Sequence, residues 1–421
     1  MTCFLRSICV VCLLTSVSFS QNWPQWRGPA RDGHSPDKDL KLDWTAKAPE
    51  LLWMASGTGQ GYASLAVVDG VIYTTGNKQD GQYVVALKAD GGEPIWERNL
   101  TSKAPKHGYE GSRCTPTVDG GRVYAITSDG AISCLDAKSG EVKWSQPFSK
   151  WRGRMMSNWG FSESPLIDGD LVLCTPGGKD AMVVALNKMT GEEAWKCKAP
   201  ASEGEGKDGA GYSSIAISNG AGVKQYVTLV GRGAIGVRAS DGKLLWTYNK
   251  VANETANIPT PICHGNFVLS SSGYGGGGTG LVELSKDGDG VKATEKYWLD
   301  RKVLQNHHGG MIQVGDYVYL GHGHGKGKPT CLELASGEIK WGGQKNRGVG
   351  TGSAAISMVG ETLIFRYESG ELALIKATPD GYELKGAMKP EFQKGRSWSH
   401  PVICRGRLYL REQDKLMCYQ L

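Results

Sequence analysis

The chain has 421 residues, 60 of them glycine, with 40% hydrophobic residues and a formal net charge of +6. A charge this mild, with no basic run interleaved with aromatics, excludes a nucleic-acid footprint. Glycine at about twice its usual share, without a collagen period, fits many tight turns between short strands.

In chain order, residues 1–20 read as a secretory signal peptide. Arg6 supplies the positive segment, residues 8–17 the apolar one, and Ser18-Phe19-Ser20 a cleavage site ahead of Gln21. The apolar run is too short to span a bilayer, and no later stretch approaches the roughly 18 apolar residues a span needs. Export to the periplasm or cell envelope is therefore expected, with no transmembrane segment in the mature chain. Residues 21–49 carry no period and are expected to form an irregular arm packed across the domain that follows.

Residues 50–421 repeat one phrase: small-Pro-apolar, Asp-Gly, Val-Tyr, a glycine-containing hairpin, apolar-Leu, Ser/Thr-Gly-Glu, Trp. The clearest copy runs Thr115-Pro116-Thr117-Val118-Asp119-Gly120-Gly121-Arg122-Val123-Tyr124, then Cys134-Leu135-Asp136-Ala137-Lys138-Ser139-Gly140-Glu141-Val142-Lys143-Trp144. Its tryptophans fall at Trp53, Trp96, Trp144, Trp195, Trp246, Trp298 and Trp341, with Leu384 in the eighth place, at spacings of 43 to 52 residues. An apolar residue stands nine positions before the aromatic in most copies, as in Leu87/Trp96, and Ile375/Leu384 keeps this offset. The fifth copy departs, because Lys286-Asp287-Gly288-Asp289-Gly290 lengthens the turn. Alternating apolar residues with turn signals every few residues argue for four short strands per copy, A to D. Four-stranded units at this period make propeller blades. The expected fold is all-β: an eight-bladed β-propeller of four-stranded antiparallel blades. Seven units run from about 62 to 389, and the C-terminus adds only three strands, 401–404, 407–411 and 415–421. The missing fourth is the N-terminal strand 50–55, so the chain ends close the ring together and remove the open sheet edges.

Eight cysteines lie beyond the leader: Cys114, Cys134, Cys174, Cys197, Cys263, Cys331, Cys404 and Cys418. Cys114 and Cys134, like Cys404 and Cys418, fall on the first and third strands of one blade, roughly 9–10 Å apart and beyond disulfide reach. They read as small buried hydrophobes.

In such a ring the D-to-A and B-to-C connections share one face, so residues just before each A strand surround the mouth of the central channel. Those positions are Tyr62, Arg113, Trp159, Phe161, Tyr212, Asn257, His307, His308, Thr351, Trp398 and His400. The B-to-C hairpins add Lys179, Arg232, Lys326, Lys328, Arg366 and Arg411 near the same face. Converging cations and aromatic rings suit an anionic, planar ligand. The alternative is that large loop residues plug the channel and the cations are solvated. His307, His308, His322 and His324 are candidate ligands for a transition metal such as zinc or copper, the alternative being solvent-exposed loop tips. Gly273-Tyr274-Gly275-Gly276-Gly277-Gly278 matches a phosphate loop only in glycine count and reads as a flexible turn.

The repeat resembles the one shared by PQQ-dependent quinoprotein dehydrogenases and the outer-membrane assembly factor BamB, both eight-bladed. It is most similar to exported bacterial PQQ-binding-like β-propeller repeat proteins. The shared stretches are Trp23-Pro24-Gln25-Trp26-Arg27-Gly28-Pro29, Cys174-Thr175-Pro176-Gly177-Gly178-Lys179-Asp180, Asn306-His307-His308-Gly309-Gly310-Met311 and Tyr409-Leu410-Arg411-Glu412-Gln413-Asp414. The resemblance implies the fold more than a reaction. The quinoprotein enzymes carry a vicinal cysteine pair, and no two cysteines are adjacent here. Their calcium ligands and catalytic aspartate match no position, so no catalytic residue is carried over. The lipid-anchoring cysteine of BamB is not found either. The expected function is a monomeric, non-catalytic binding or scaffold module of the cell envelope, facing a protein, glycan or small anionic ligand. The alternative is a quinoprotein oxidoreductase, with PQQ and calcium over the channel mouth, acting on an alcohol or sugar.

Overall fold

A computed structural model describes residues 21–343 and 348–421; the leader assigned to 1–20 lies outside them. Among the described residues thirty-two strands form eight four-stranded antiparallel sheets arranged as a propeller. Blade 1 consists of Ala66–Val68, Val71–Lys78, Gly81–Lys88 and Pro94–Asn99, strands A to D in chain order. The closing blade 8 takes Val402–Cys404, Arg407–Glu412 and Lys415–Gln420 from the C-terminus and Glu50–Ser56 from the N-terminus. Glu50 pairs with Gln420 and Ser56 with Lys415, which is the closure the repeat count implies. Among the described residues the eight cysteines are unpaired, and seven are buried. Among the described residues no helix is long and apolar enough to cross a membrane.

The aromatic of each D strand is aimed by a bulge. Trp96 pairs with Ala86, yet Pro94 pairs with Leu87, so one extra residue kinks the strand just before the indole. The same shift precedes Trp53, Trp144, Trp195, Trp246 and Trp341. A bulge adds twist and re-aims the neighbouring side chain. The ring then lies on the hairpin glycine of the next blade. A Cβ at Gly140 would stand 2.5 Å from Trp96, one at Gly191 2.7 Å from Trp144, and one at Gly242 2.5 Å from Trp195. These glycines also hold φ near +70°, so the Ser/Thr-Gly-Glu turn needs glycine for two reasons. Several indoles donate onward to a carbonyl of the next blade: Trp96 Nε1 to Ala137 O at 2.9 Å and Trp144 Nε1 to Lys188 O at 3.0 Å.

Two wedge positions differ from the sequence reading. In blade 5 the register shift falls between Leu281 and Val282, which puts Tyr297 rather than Trp298 in the wedge. Its ring lies against Gly337, and its hydroxyl donates to Leu334 O at 2.8 Å. In blade 7 the C-to-D hairpin is longer, and Leu384, 40% exposed, points outward. Gly386 stands where the indole would be, at φ +126°, and a Cβ there would meet Trp44 at 2.6 Å. Trp44 comes from the N-terminal arm, is only 6% exposed, and donates its amide to Lys385 O at 2.7 Å. It packs with Leu374, Met388, Leu408 and Tyr419, filling the gap between blades 7 and 8.

The arm does more than fill one gap. Trp23 forms an antiparallel bridge to Val67 of blade 1, and Pro24 O accepts from Val118 N of blade 2. Arg31 donates to Ser164 O and Pro165 O of blade 3, both at 3.0 Å, and to Ile215 O of blade 4 at 3.1 Å. Trp26 Nε1 donates to Thr260 Oγ1 of blade 5, and Arg27 to Met311 O of blade 6. Ser35 closes the circuit, its amide on Met358 O of blade 7 and its hydroxyl on Ile403 O of blade 8. Thus the arm touches the inner strand region of all eight blades and lies across the channel. One cavity of about 480 Å³ lies on the loop-bearing side and one of about 420 Å³ on the other; Arg27 and Thr260 line both.

Removing the Trp44 ring should leave a cavity that the surrounding blades cannot fill. Trp44→Ala is expected to cost about 3–5 kcal/mol in urea unfolding, and Leu384→Ala no more than about 0.5 kcal/mol. Equal losses would show that Leu384 is the wedge after all.

Candidate functional site

The 480 Å³ cavity is a blind funnel whose floor is the arm and whose walls are the D-to-A and B-to-C loops. Nine of the sequence candidates line it: Tyr62, Arg113, Trp159, Tyr212, His307, His308, His324, Trp398 and His400. Others do not. Phe161 packs edge-on against Phe148 in the core between blades 2 and 3. Asn257 is fully buried, its amide donating to Val230 O and Gly231 O. Arg232 is held by Asp208 and the carbonyls of Gly204 and Gly206. Lys179 and Thr351 are exposed outside the funnel. Arg366 and Arg411 face inward instead of the mouth: Arg366 pairs with Glu412, both fully buried, and Arg411 donates to Gly59 O, Thr75 O and Thr74 Oγ1.

The sequence reading missed Trp26, Arg27, Tyr109, Tyr274, Glu368 and Arg396, which also line it. Trp26 and Arg27 arrive with the arm. Tyr274 sits in the glycine-rich hairpin read as a simple turn, and both it and Tyr109 adopt left-handed backbone, φ +67° and +53°. Left-handed backbone at a non-glycine residue costs about 1 kcal/mol or more, and such strain collects at functional sites. The glycines on either side of Tyr274 were the available signal.

The imidazoles are arranged and kept neutral. His307 holds Ser353 Oγ at 2.7 Å and Tyr274 Oη at 2.9 Å, using both ring nitrogens. The rings of His308 and His324 lie 4.3 Å from it. His322 does not join them; its Nδ1 accepts from Gln305 N at a separate recess. Among the described residues no set of three His, Cys, Asp or Glu side chains is placed to hold a metal ion. Burial, then the nearby His324, Arg396 and Arg113, drive His308 down to about 3. Burial and Arg27 drive His400 to about 3, and His307 is depressed further.

Three guanidinium groups face this space with a single carboxylate among the lining residues. Glu368 is taken by Arg396, which also lies over the rings of Tyr109 and Trp398 at 5.3 and 5.5 Å. Among the described residues Arg113 donates to Trp159 O, Gly108 O, Tyr109 O and Gly111 O, meets His107, forms no ion pair, and stands 5.5 Å over Tyr62. Burial lowers both Arg113 and Arg27 to about 10. Arg27 Nε and Nη1, His308 Nε2, His400 Nδ1 and Trp398 Nε1 are buried without a hydrogen-bond partner. A buried charge or polar group left unpaired is destabilising, so the funnel presents unmet polar atoms, the Arg27 and Trp398 donors among them, beside flat rings.

Comparison with known proteins places this architecture. The family described as outer membrane protein assembly factor BamB matches residues 41–155 and 149–343. The chain belongs to that family. A BamB of Burkholderia pseudomallei is 33% identical over 119 residues, 27% of each chain. The quinohemoprotein alcohol dehydrogenase ADH-IIG of Pseudomonas putida is 31% identical over 143 residues, 32% of this chain and 19% of the enzyme. The chain therefore spans under a third of the length of either relative. The crystal structure of quinohemoprotein alcohol dehydrogenase from Comamonas testosteroni superposes with a TM-score of 0.65 at 13% identity, covering 95% of this chain and 80% of that one. At that identity the likeness shows the fold alone.

Stability of this BamB-family propeller should depend on the neutral imidazoles. The unfolded chain takes up protons on histidine below about 6.5, whereas folded His308 and His400 refuse them down to about 3. Stability is therefore present above that window and lost as pH falls through it. Tm should drop between pH 7 and pH 4, and His308→Gln with His400→Gln should flatten the drop. An unchanged slope in the double variant would contradict the placement.

Proposed function

We propose that the chain is an exported, non-catalytic binding module of the cell envelope that holds a small, flat, anionic ligand in its funnel. The supporting observation is the buried Arg27 at the floor, with two nitrogens unpartnered, together with Arg113, which no carboxylate neutralises. An anionic ligand would meet charge-assisted donors there, worth about twice a neutral hydrogen bond. Tyr62, Trp159 and Trp398 offer ring faces for a planar body, and the arm excludes water from below. Export is supported by the leader pattern in residues 1–20, and an envelope location by a relative named as an outer membrane protein assembly factor.

The quinoprotein alternative was tested against the same residues. PQQ is a planar polycarboxylate, and its charge suits the three arginines. Calcium takes six to eight oxygen ligands, with carboxylates prominent. The lining holds one carboxylate, already paired with Arg396, and no cysteine. The residues present do not fit the calcium–PQQ pair, so no catalytic step is assigned.

The test is calorimetric titration of the mature chain with PQQ and with naphthalene dicarboxylate, in chelator and in calcium. Both carboxylates should bind without calcium, the neutral naphthalene diamide should not, and Arg113→Gln should weaken binding about tenfold. No binding by either carboxylate would overturn the proposal. Calcium-dependent binding with alcohol-driven dye reduction would establish the oxidoreductase instead.

A further inference from the structure

We propose a second ligand site, separate from the funnel, at the junction of blades 5 and 6, that takes a phosphorylated or sulfated polyol. A recess of about 520 Å³ opens there between the loop after strand Gly290–Asp300 and the hairpin after Tyr317–His322. Arg301, Lys302 and Lys326 line it, with no aspartate or glutamate. Among the described residues neither Arg301 nor Lys326 forms an ion pair. Lys326 is also positioned: its amide donates to Gly323 O, and a Cβ on Gly323 would lie 3.1 Å from its stem. That lysine therefore lies folded along the hairpin.

The polar wall narrows the ligand class. Gln305, only 9% exposed, donates Nε2 to Arg301 O at 3.0 Å and leaves Oε1 buried without a partner. Turning the amide over would set oxygen against oxygen, so the orphan atom is an acceptor. An oxyanion answers the cations but has no proton for Gln305 Oε1. A hydroxyl beside the oxyanion has one. His322 accepts from Gln305 N through Nδ1, which fixes the backbone of Gln305 at the wall of the recess. His324 lines both this recess and the funnel and forms the partition between them.

The mature chain is titrated with glycerol phosphate, methyl phosphate and glucose sulfate at constant ionic strength, followed by calorimetry and phosphorus NMR. Saturable binding of glycerol phosphate or glucose sulfate is expected, the stronger of the two identifying the oxyanion. Glycerol phosphate should bind at least about fivefold tighter than methyl phosphate, and Arg301→Ala with Lys326→Ala, both exposed positions, should weaken it at least tenfold. Gln305→Leu should bring the two phosphates level, with Tm checked for folding. Arg113→Gln, in the funnel, should leave this site unchanged. Failure to saturate by about 10 mM, equal affinity in the double variant, or equal affinity of the two phosphates for the wild type would each overturn the proposal.

Discussion

Backbone carbonyls crowded around the propeller axis must find donors, and this requirement shapes the molecule. Six of the eight inner strands have three residues each, Leu166–Asp168 and Ala216–Ser218 among them. The carbonyls just before and within them turn toward the channel, where buried oxygens without partners are costly. Arg31 answers three of them and Arg27 another, from an arm with no regular structure of its own. An arginine carries five donors in a rigid fork, which suits several carbonyls at once. The arm is thereby tied to every blade. Its path also makes the channel blind and sets the Arg27 charge at the base of the funnel.

A second belt ties neighbouring blades. Ser64 N donates to Thr115 Oγ1, Thr115 N to Ser164 Oγ, and Ser164 N to Ser214 Oγ, each at 3.0 Å. Ser64 Oγ donates to His400 O of blade 8. In blades 1 to 4 the small residue ahead of the inner strand is thus a hydroxyl, and Thr115, Ser164 and Ser214 accept from the preceding blade where the blades converge. Blade 5 breaks the pattern usefully, since Thr260 receives the Trp26 indole from the arm instead. The result is a rigid frame beneath loops that carry strained Tyr109 and Tyr274, an arrangement suited to holding side chains in place around a ligand.

The ring was legible because its signals are local and repeated. The tryptophan spacing, the hairpin glycine and the three-plus-one closure all follow from one blade geometry. Leu384 misled because the offset of nine residues from Ile375 persists while the hairpin itself lengthens, so the wedge falls on Gly386. That vacancy is filled by Trp44, far away in sequence and outside any period. Trp298 was displaced by one residue for a related reason, a bulge following an extended turn. In the funnel, positions fixed by topology, such as Tyr62 and His308, were readable. Those brought by the arm, Trp26 and Arg27, were not. Arg366 and Arg411 looked like mouth cations because a sequence does not reveal which carbonyls or acids wait inside; Glu412 and the strand ends hold them in the core.

Fold and site therefore rest on the same claim, that residues 23–35 are an integral part of the propeller. Hydrogen–deuterium exchange of the arm tests it most directly. Trp23, Gly33 and Ser35 give their amides to Val67, Arg27 and Met358 carbonyls at 2.7 to 2.8 Å. If the arm is the hub of the ring, these amides exchange as slowly as those of the inner strands. Exchange within seconds, as in a free tail, would mean that the channel is open and that the funnel has no floor.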